Sequence, residues 1–238
     1  AKGHDVDPAN LNYKAGDGFL CAARGKTTHP AIFFDTKGRS YSLPAHTLSS
    51  ARGHGEPLTG KLTPSNGARF LSVLMGSSDQ KVLLASDAGY GFITNIANMV
   101  TKNTKGKAML AVPKECEPLR PIYVNNYETD FLAAITTEGR MLVIPVRVMP
   151  ELPRGKGNKI IHIPPASFKK REEYVNLLEI IPEGATIKIH AGKQSVRFTP
   201  ANISSFVGER GRRGKKLPRG YRKADRIEII HVEGDSNW

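Results

Sequence analysis

The sequence lacks most of the devices that mark a secreted protein, a membrane protein or an enzyme. Only two of its 238 residues are cysteine, Cys21 and Cys116, and neither lies in a Cys-x-x-Cys pair or near paired histidines. That argues against a disulfide framework and a thiolate metal site, and both are expected as small buried residues in a reducing compartment. No apolar run approaches the ~18 residues that a membrane helix needs, and no secretory leader is visible. The chain opens on Ala1 and not Met, so it is read as a piece of a longer protein. The seven histidines, His4, His29, His46 and His54 among them, show neither His-x-His nor His-Glu-x-x-His spacing, which argues against zinc. The stretch GEPLTGK (55–61) copies the spacing of a phosphate loop. However, Leu62 stands where a magnesium-binding hydroxyl is required, and no helix pattern follows. No Gly-x-Ser-x-Gly elbow is present either. No catalytic residues, metal ligands or cofactor sites are therefore assigned to this chain.

Acidic residues are also scarce, 22 against 35 Lys and Arg, which leaves a net charge of +13 and a pI near 9.8. With 39% hydrophobic residues this composition belongs to a globular protein whose partner is a polyanion. Helical periodicity is rare. SFKKREEYVNLLEI (167–180) is the one stretch that shows it and is expected as a short helix or an insertion. Elsewhere Val, Ile, Phe and Tyr alternate with polar residues, as in strands, and the 23 glycines and 16 prolines read as turns.

A repeat organises what remains. FFDTKGRSYSL (33–43), LLASDAGYGFITNI (83–96), LAAITTEGRMLVIPV (132–146) and IKIHAGKQSVRFT (187–199) each read as strand, polar turn, strand. Their turn glycines, Gly38, Gly89, Gly139 and Gly192, are spaced 51, 50 and 53 residues apart. Each hairpin is followed by a loop of glycine and basic residues: ARGHGEPL (51–58), TKNTKGKAML (101–110), PRGKGNKII (153–161) and GERGRRGKKL (208–217). A hydrophobic strand is expected after each loop, at Leu58–Leu62, Met109–Val112, Ile160–Ile163 and, more weakly, Leu217. A period of about 50 residues with about four strands per unit predicts a radial array of small antiparallel sheets. The approximate blades are 19–66, 68–116, 119–165 and 175–223, with residues 1–18 and 224–233 forming or closing a fifth.

In such an array, equivalent loops line one rim and the residue types they share become a belt. Here those types are glycine, which lets backbone N–H groups approach a phosphate, and Lys or Arg, which neutralise it. The candidate DNA-binding residues are Arg52 and Lys61 in the first loop and Lys102, Lys105 and Lys107 in the second. The third supplies Arg154, Lys156 and Lys159. The fourth supplies Arg210, Arg212, Arg213, Lys215 and Lys216, continued by Arg219, Arg222 and Lys223. A reader of single strands would interleave aromatics. These loops are poor in them, Tyr221 excepted, which points to the backbone of duplex DNA with little sequence preference.

At these residues the chain resembles a known family. ERGRRGKK (209–216) is similar to the Gln-Arg-Arg-Gly-Gly box of the gyrase A C-terminal domain. NYKAGD (12–17), GRSYSLPAHTLSSARGHGEPLTGKL (38–62), LLASDAGYGF (83–92), TKGKAML (104–110), EGRMLVIPV (138–146), GKGNKIIHIP (155–164) and GERGRRGKKLPRG (208–220) resemble the C-terminal domain of the A (ParC-type) subunit of proteobacterial topoisomerase IV. The resemblance implies an all-β, five-bladed β-pinwheel, a broken-propeller-like ring whose first blade is open or incomplete. It implies a non-catalytic accessory domain that binds and bends duplex DNA and guides crossing and supercoil selection for decatenation and relaxation. The parent type II topoisomerase uses ATP and magnesium elsewhere. Implied partners are duplex DNA, the B subunit of topoisomerase IV, the N-terminal part of the A subunit and the bacterial condensin, with no membrane, in a cytoplasmic, nucleoid-associated setting. No intact Gln-Arg-Arg-Gly-Gly box is present, which disfavours the alternative of a DNA-wrapping gyrase A domain. The other alternative, a propeller-type protein-interaction scaffold, calls for Trp-Asp or double-Gly signatures and near-neutral charge, against one Trp and +13 here.

Overall fold

A computed structural model describes residues 7–50 and 53–232. Short strands dominate them: β1 (Pro30–Asp35), β2 (Arg39–Pro44), β3 (Phe70–Leu74), β4 (Lys81–Ser86), β5 (Tyr90–Asn95), β6 (Lys107–Ala108), β7 (Ile122–Val124), β8 (Phe131–Thr136), β9 (Arg140–Pro145), β10 (Asn158–Lys159), β11 (Val175–Ile181), β12 (Ala185–Ala191), β13 (Gln194–Phe198), β14 (Lys215–Lys216) and β15 (Arg226–Val232). The helices are single turns, α1 (Ile96–Met99), α2 (Pro165–Lys169) and α3 (Pro200–Ser204). The chain packs as two units, Ala1–Gln80 with Asn95–Ala111, and Lys81–Thr94 with Val112–Trp238.

The first unit holds one sheet, in the order β3-β1-β2-β6. Alternation along β1 and β2 sends Ala31, Phe33 and Tyr41 to one face, where they pack with Leu62 and the edge-on ring of Phe70. The second unit holds three sheets, β10-β5-β4-β7, β11-β8-β9-β14 and β13-β12-β15. The middle one is buried on both faces. Leu132, Ala134, Leu142 and Ile144 join one core with Leu83 and Ile93, while Ala133, Ile135, Met141 and Val143 join another with Ile187 and Ile189. A two-residue side-chain period splits each strand between the two cores, which is why β8 and β9 read as continuous apolar runs.

Each sheet is shared between neighbouring repeats. The hairpin β1–β2 takes an outer strand, β3, and a two-residue edge strand, β6, from the following repeat. The hairpins β4–β5 and β8–β9 do the same with β7 and β10, and with β11 and β14. The contiguous blades expected from the repeat are thus replaced by sheets that borrow across repeat boundaries. Residues 224–233, expected to close a fifth blade with 1–18, contribute β15, which pairs with β12 as the third strand of the last sheet. Among the described residues before β1 there is no strand.

The strands expected after the glycine–basic loops also need correction. Pairing falls on the two residues before each apolar pair, and Leu58–Gly60 is a 3-10 turn. Met109, Leu110, Ile160, Ile161 and Leu217 do not extend the strands but plug into the cores, because burial of an apolar side chain contributes about 1.5–3 kcal/mol. Their backbones are fastened to the turn glycines: the N–H groups of Leu110, Ile160 and Leu217 donate to the carbonyls of Gly38, Gly89 and Gly139 at 2.9, 2.7 and 2.8 Å. The helical reading of 167–180 holds for α2 alone, since from Val175 the chain pairs with β8. Cys21 and Cys116 are free and half-buried, not buried as expected.

The glycines of this junction are needed twice over. Gly38 has φ +79°, and a Cβ there would lie 2.1 Å from the Leu110 carbonyl oxygen. Gly192, at the last hairpin, has φ +60° and nothing within 4 Å of that position. Gly192→Ala is therefore expected to cost only the left-handed backbone penalty, about 1–2 kcal/mol, and Gly38→Ala clearly more, because the donor loop must also be displaced. Chemical denaturation of the two variants checks the order, and equal losses would contradict it.

Candidate nucleic-acid interface

The basic side chains differ in what holds them, and this decides what charge they present. A carboxylate partner cancels a cation, whereas a backbone carbonyl fixes its position and leaves its net charge in place. Three of the expected residues have carboxylate partners. Lys61 pairs with Glu56 at 2.7 Å and Arg212 with Glu209 at 2.9 Å, both near the surface, where such pairs are weak. Arg213 is different in kind. Its guanidinium grips Glu173 with two bonds of 2.7 and 2.8 Å and also donates to the His162 carbonyl. Glu173 is 1% exposed and accepts a further bond from Thr136 at 2.7 Å. Arg213, one of the expected DNA contacts, thereby ties the fourth loop to the segment before β11, and through Glu173 to Thr136 at the end of β8.

A second set is anchored on carbonyls. Arg210 donates to Lys159 at 2.9 Å, Lys215 to Ser205 at 2.6 Å, Lys107 to Asn98, and Arg222, more weakly, to Leu217. Lys156 and Lys159 lie over the Tyr90 ring at 4.0 and 5.9 Å. Lys102, Lys105, Arg154, Lys216, Arg219 and Lys223 are exposed and bond no side chain to any described residue. Tyr221 is half-buried on the turn after Pro218. Arg52 lies outside the described residues.

Sequence reasoning missed the residue that follows each turn glycine. Arg39 donates to the carbonyls of Lys105 and Gly106 at 3.2 and 2.8 Å, and Arg140 donates to the carbonyl of Gly214 at 2.8 Å. Both reach from the hairpin turn to the incoming glycine–basic loop at the same point of the repeat. In the intervening sheet the equivalent residue is Tyr90, which carries the loop lysines on its ring. The signal was legible: the residues after the four turn glycines are Arg39, Tyr90, Arg140 and Lys193.

No protein-family model matches the chain. The A subunit of DNA topoisomerase 4 from Pseudomonas aeruginosa is 50% identical over 229 residues, which span 96% of this chain and 30% of that relative. The chain thus spans about a third of the length of the curated relatives it matches. A solved structure, the Escherichia coli ParC C-terminal domain, superposes with a TM-score of 0.87 at 46% identity and covers 96% of this chain and 92% of its own. The chain belongs to the ParC C-terminal domain family, the C-terminal region of the topoisomerase IV A subunit. The DNA gyrase A C-terminal domain, 14% identical with a TM-score of 0.65, covers 86% of this chain and shares the fold. The β-pinwheel class expected from the sequence is thus the class of this ParC-type domain.

Within the ParC-type fold, Glu173 shows what the fastener does to a carboxyl. Burial pushes its pKa up, but the bonds from Arg213 and Thr136 outweigh burial and hold it below the usual carboxylate range. A lowered folded-state pKa stabilises above the unfolded value and loses that stabilisation as pH falls through the folded one. Thermal stability should therefore drop as the pH is lowered below the ordinary Glu range near 4.5. Arg213→Ala, which strands a buried carboxylate, is expected to cost about 3–5 kcal/mol at neutral pH. Melting curves across that pH range check both, and an Arg213→Ala protein as stable as the parent would refute the fastener.

Proposed function

We propose that this domain is a non-catalytic, duplex-DNA-binding accessory of a type IIA topoisomerase, gripping the phosphate backbone through its glycine–basic loops. The observation that carries the reading is the recurrence of a carbonyl-anchored arginine at the turn-to-loop junction, Arg39 in one sheet and Arg140 in another. Anchoring removes most of the side-chain entropy that a flexible cation loses on binding, while the net charge stays available to a phosphate. Around these fixed charges stand exposed ones, Lys105 beside the first and Lys216 beside the second. Phosphate contacts orient a duplex without reading its bases, so binding is sequence-tolerant and strongly salt-dependent.

By this reading the domain bends DNA and helps the parent enzyme choose crossings and supercoils for decatenation and relaxation. Bending costs a few kcal/mol, offset by the added contacts. The domain itself needs no cofactor, and ATP and magnesium act elsewhere in the assembly. Its partners are duplex DNA, the N-terminal part of the A subunit, the B subunit and the bacterial condensin, in the cytoplasm at the nucleoid. Support for these comes from family membership and from the charge distribution.

The test is a salt titration of duplex binding. If about six phosphates are engaged, affinity falls about 10³-fold between 50 and 200 mM salt. The double substitution Arg154→Glu with Lys216→Glu uses exposed residues outside the fasteners, so it should weaken binding alike for unrelated duplexes while the melting temperature holds. A flat salt dependence, or a loss confined to one sequence, would remove the backbone reading.

A further inference from the structure

We infer that the first sheet carries a dedicated seat for one backbone phosphate, built from Lys37, Arg39 and Lys105 with the hydroxyls of Thr63 and Ser65. These residues line a cleft of about 510 Å³ in the first unit, completed by Pro64, and no carboxylate lines it. Three separate stretches of chain meet there: the β1–β2 turn, the connector after the first loop, and the second glycine–basic loop. The inference rests on the backbone-binding reading and locates one of its contacts.

The cleft is held open by bonds that do not consume its charge. Arg39 is fixed on the carbonyls of Lys105 and Gly106, and Lys37 on the carbonyl of Asn66. The connector is tied to the loop by the Thr63 N–H, which donates to the Thr104 carbonyl at 2.8 Å. Gly106 lies flat against Tyr41, since a Cβ on it would stand 2.6 Å from the ring, and this fixes where Lys105 leaves the loop. Asp35, beneath the turn, is the one carboxylate bonded to these stretches among the described residues. It is fully buried, and its oxygens are occupied by the N–H groups of Lys37 and Arg39 and the Tyr41 hydroxyl at 2.8, 2.9 and 2.7 Å. It shapes the turn from below and offers no free oxygen to the cleft. Three cationic residues and two hydroxyl-bearing residues lining one concave surface suit a tetrahedral, multiply accepting anion better than a carboxylate or a halide.

The other sheets lack the combination. At the positions of Lys37 and Arg39 the second hairpin has Ala88 and Tyr90, and the third has Glu138 and Arg140. The seat is therefore a property of the first sheet and is absent from the fourth loop, where the sequence concentrates its charge.

Two measurements on the 238-residue chain test it. Duplex binding by fluorescence anisotropy, followed over salt, is compared for the parent, for Lys37→Ala with Lys105→Ala, and for Lys37→Arg with Lys105→Arg. The alanine pair should lower the slope of log affinity against log salt by about 0.9, the value of one phosphate. The arginine pair should restore it, and the melting temperature should be unchanged throughout. An unaltered slope in a folded alanine variant overturns the seat. Titration with inorganic pyrophosphate, followed by the amide resonances of Thr63, Ser65 and Gly106, isolates the seat from the duplex. Saturable shifts that vanish in the alanine pair support it even if the parent ignores DNA, a result that would sink only the wider reading. No shift at those amides overturns it.

Discussion

The structure depends on how a hairpin edge is closed. A two-stranded hairpin leaves a row of unpaired N–H and C=O groups along its outer strand, a liability in water and an invitation to aggregation. Here the outer strands β2, β5 and β9 are each covered by a two-residue strand from the next repeat, followed at once by an apolar side chain that sinks into the core. Two residues of ladder would not hold by themselves. The bond from the incoming N–H to the turn-glycine carbonyl fixes the end of the segment, and the buried Leu110, Ile160 or Leu217 supplies the larger free energy. Consecutive repeats are thereby tied together through the backbone.

The same junction accounts for the electrostatics. A loop crossing a hairpin turn at close range presents its carbonyls to whatever follows the turn glycine. An arginine there finds acceptors at hydrogen-bond distance without any carboxylate, as Arg39 and Arg140 do. The domain, whose sequence carries a net charge of +13, can thus fix some of its cations while using carboxylates sparingly. In two ion pairs, Glu173–Arg213 and Asp87–Arg171, one partner is almost completely buried and the bond joins segments remote in sequence. Those pairs fasten the fold, and the carbonyl-held arginines Arg39, Arg140 and Arg210 stay half-exposed. The distinction separates an ion-paired from a carbonyl-held arginine within one basic loop, where Arg213 and Arg210 stand three residues apart.

Much of this was legible in the residues. The hairpins announced themselves because paired six-residue apolar strands and a glycine at a fixed place between them are local signals. The glycine–basic loops were found as loops for the same reason. Their pairing was not, because a two-residue strand such as Asn158–Lys159 has no periodicity of its own, and its partner, Tyr90, lies in another repeat. The outer strands were misplaced for a related cause: β3 and β11 belong by sequence to one repeat and by hydrogen bonding to the one before. The fate of individual cations was least legible. Arg213 and Glu173 are forty residues apart, and only the folded chain shows that they meet. Arg39 and Arg140 share a register but stand outside the loops where charge is dense, and density says nothing of what each charge is bonded to.

The last hairpin shows why a repeated residue need not have a repeated reason. Gly192 aligns with Gly38, Gly89 and Gly139 and shares their left-handed backbone, with φ between +60° and +82° across the four. At Gly38, Gly89 and Gly139 a Cβ would meet a neighbouring segment within 3.1 Å, while over Gly192 there is open space. Its sheet has three strands among the described residues, and β13 carries no donor there. The turn alone demands glycine at position 192, whereas turn and incoming backbone together demand it at the other three. A glycine kept on both grounds reports a closed edge, and one kept on the first alone reports only a tight turn. Spacing alone therefore predicts the hairpins, while the steric surroundings of each glycine reveal which of them the next repeat has locked.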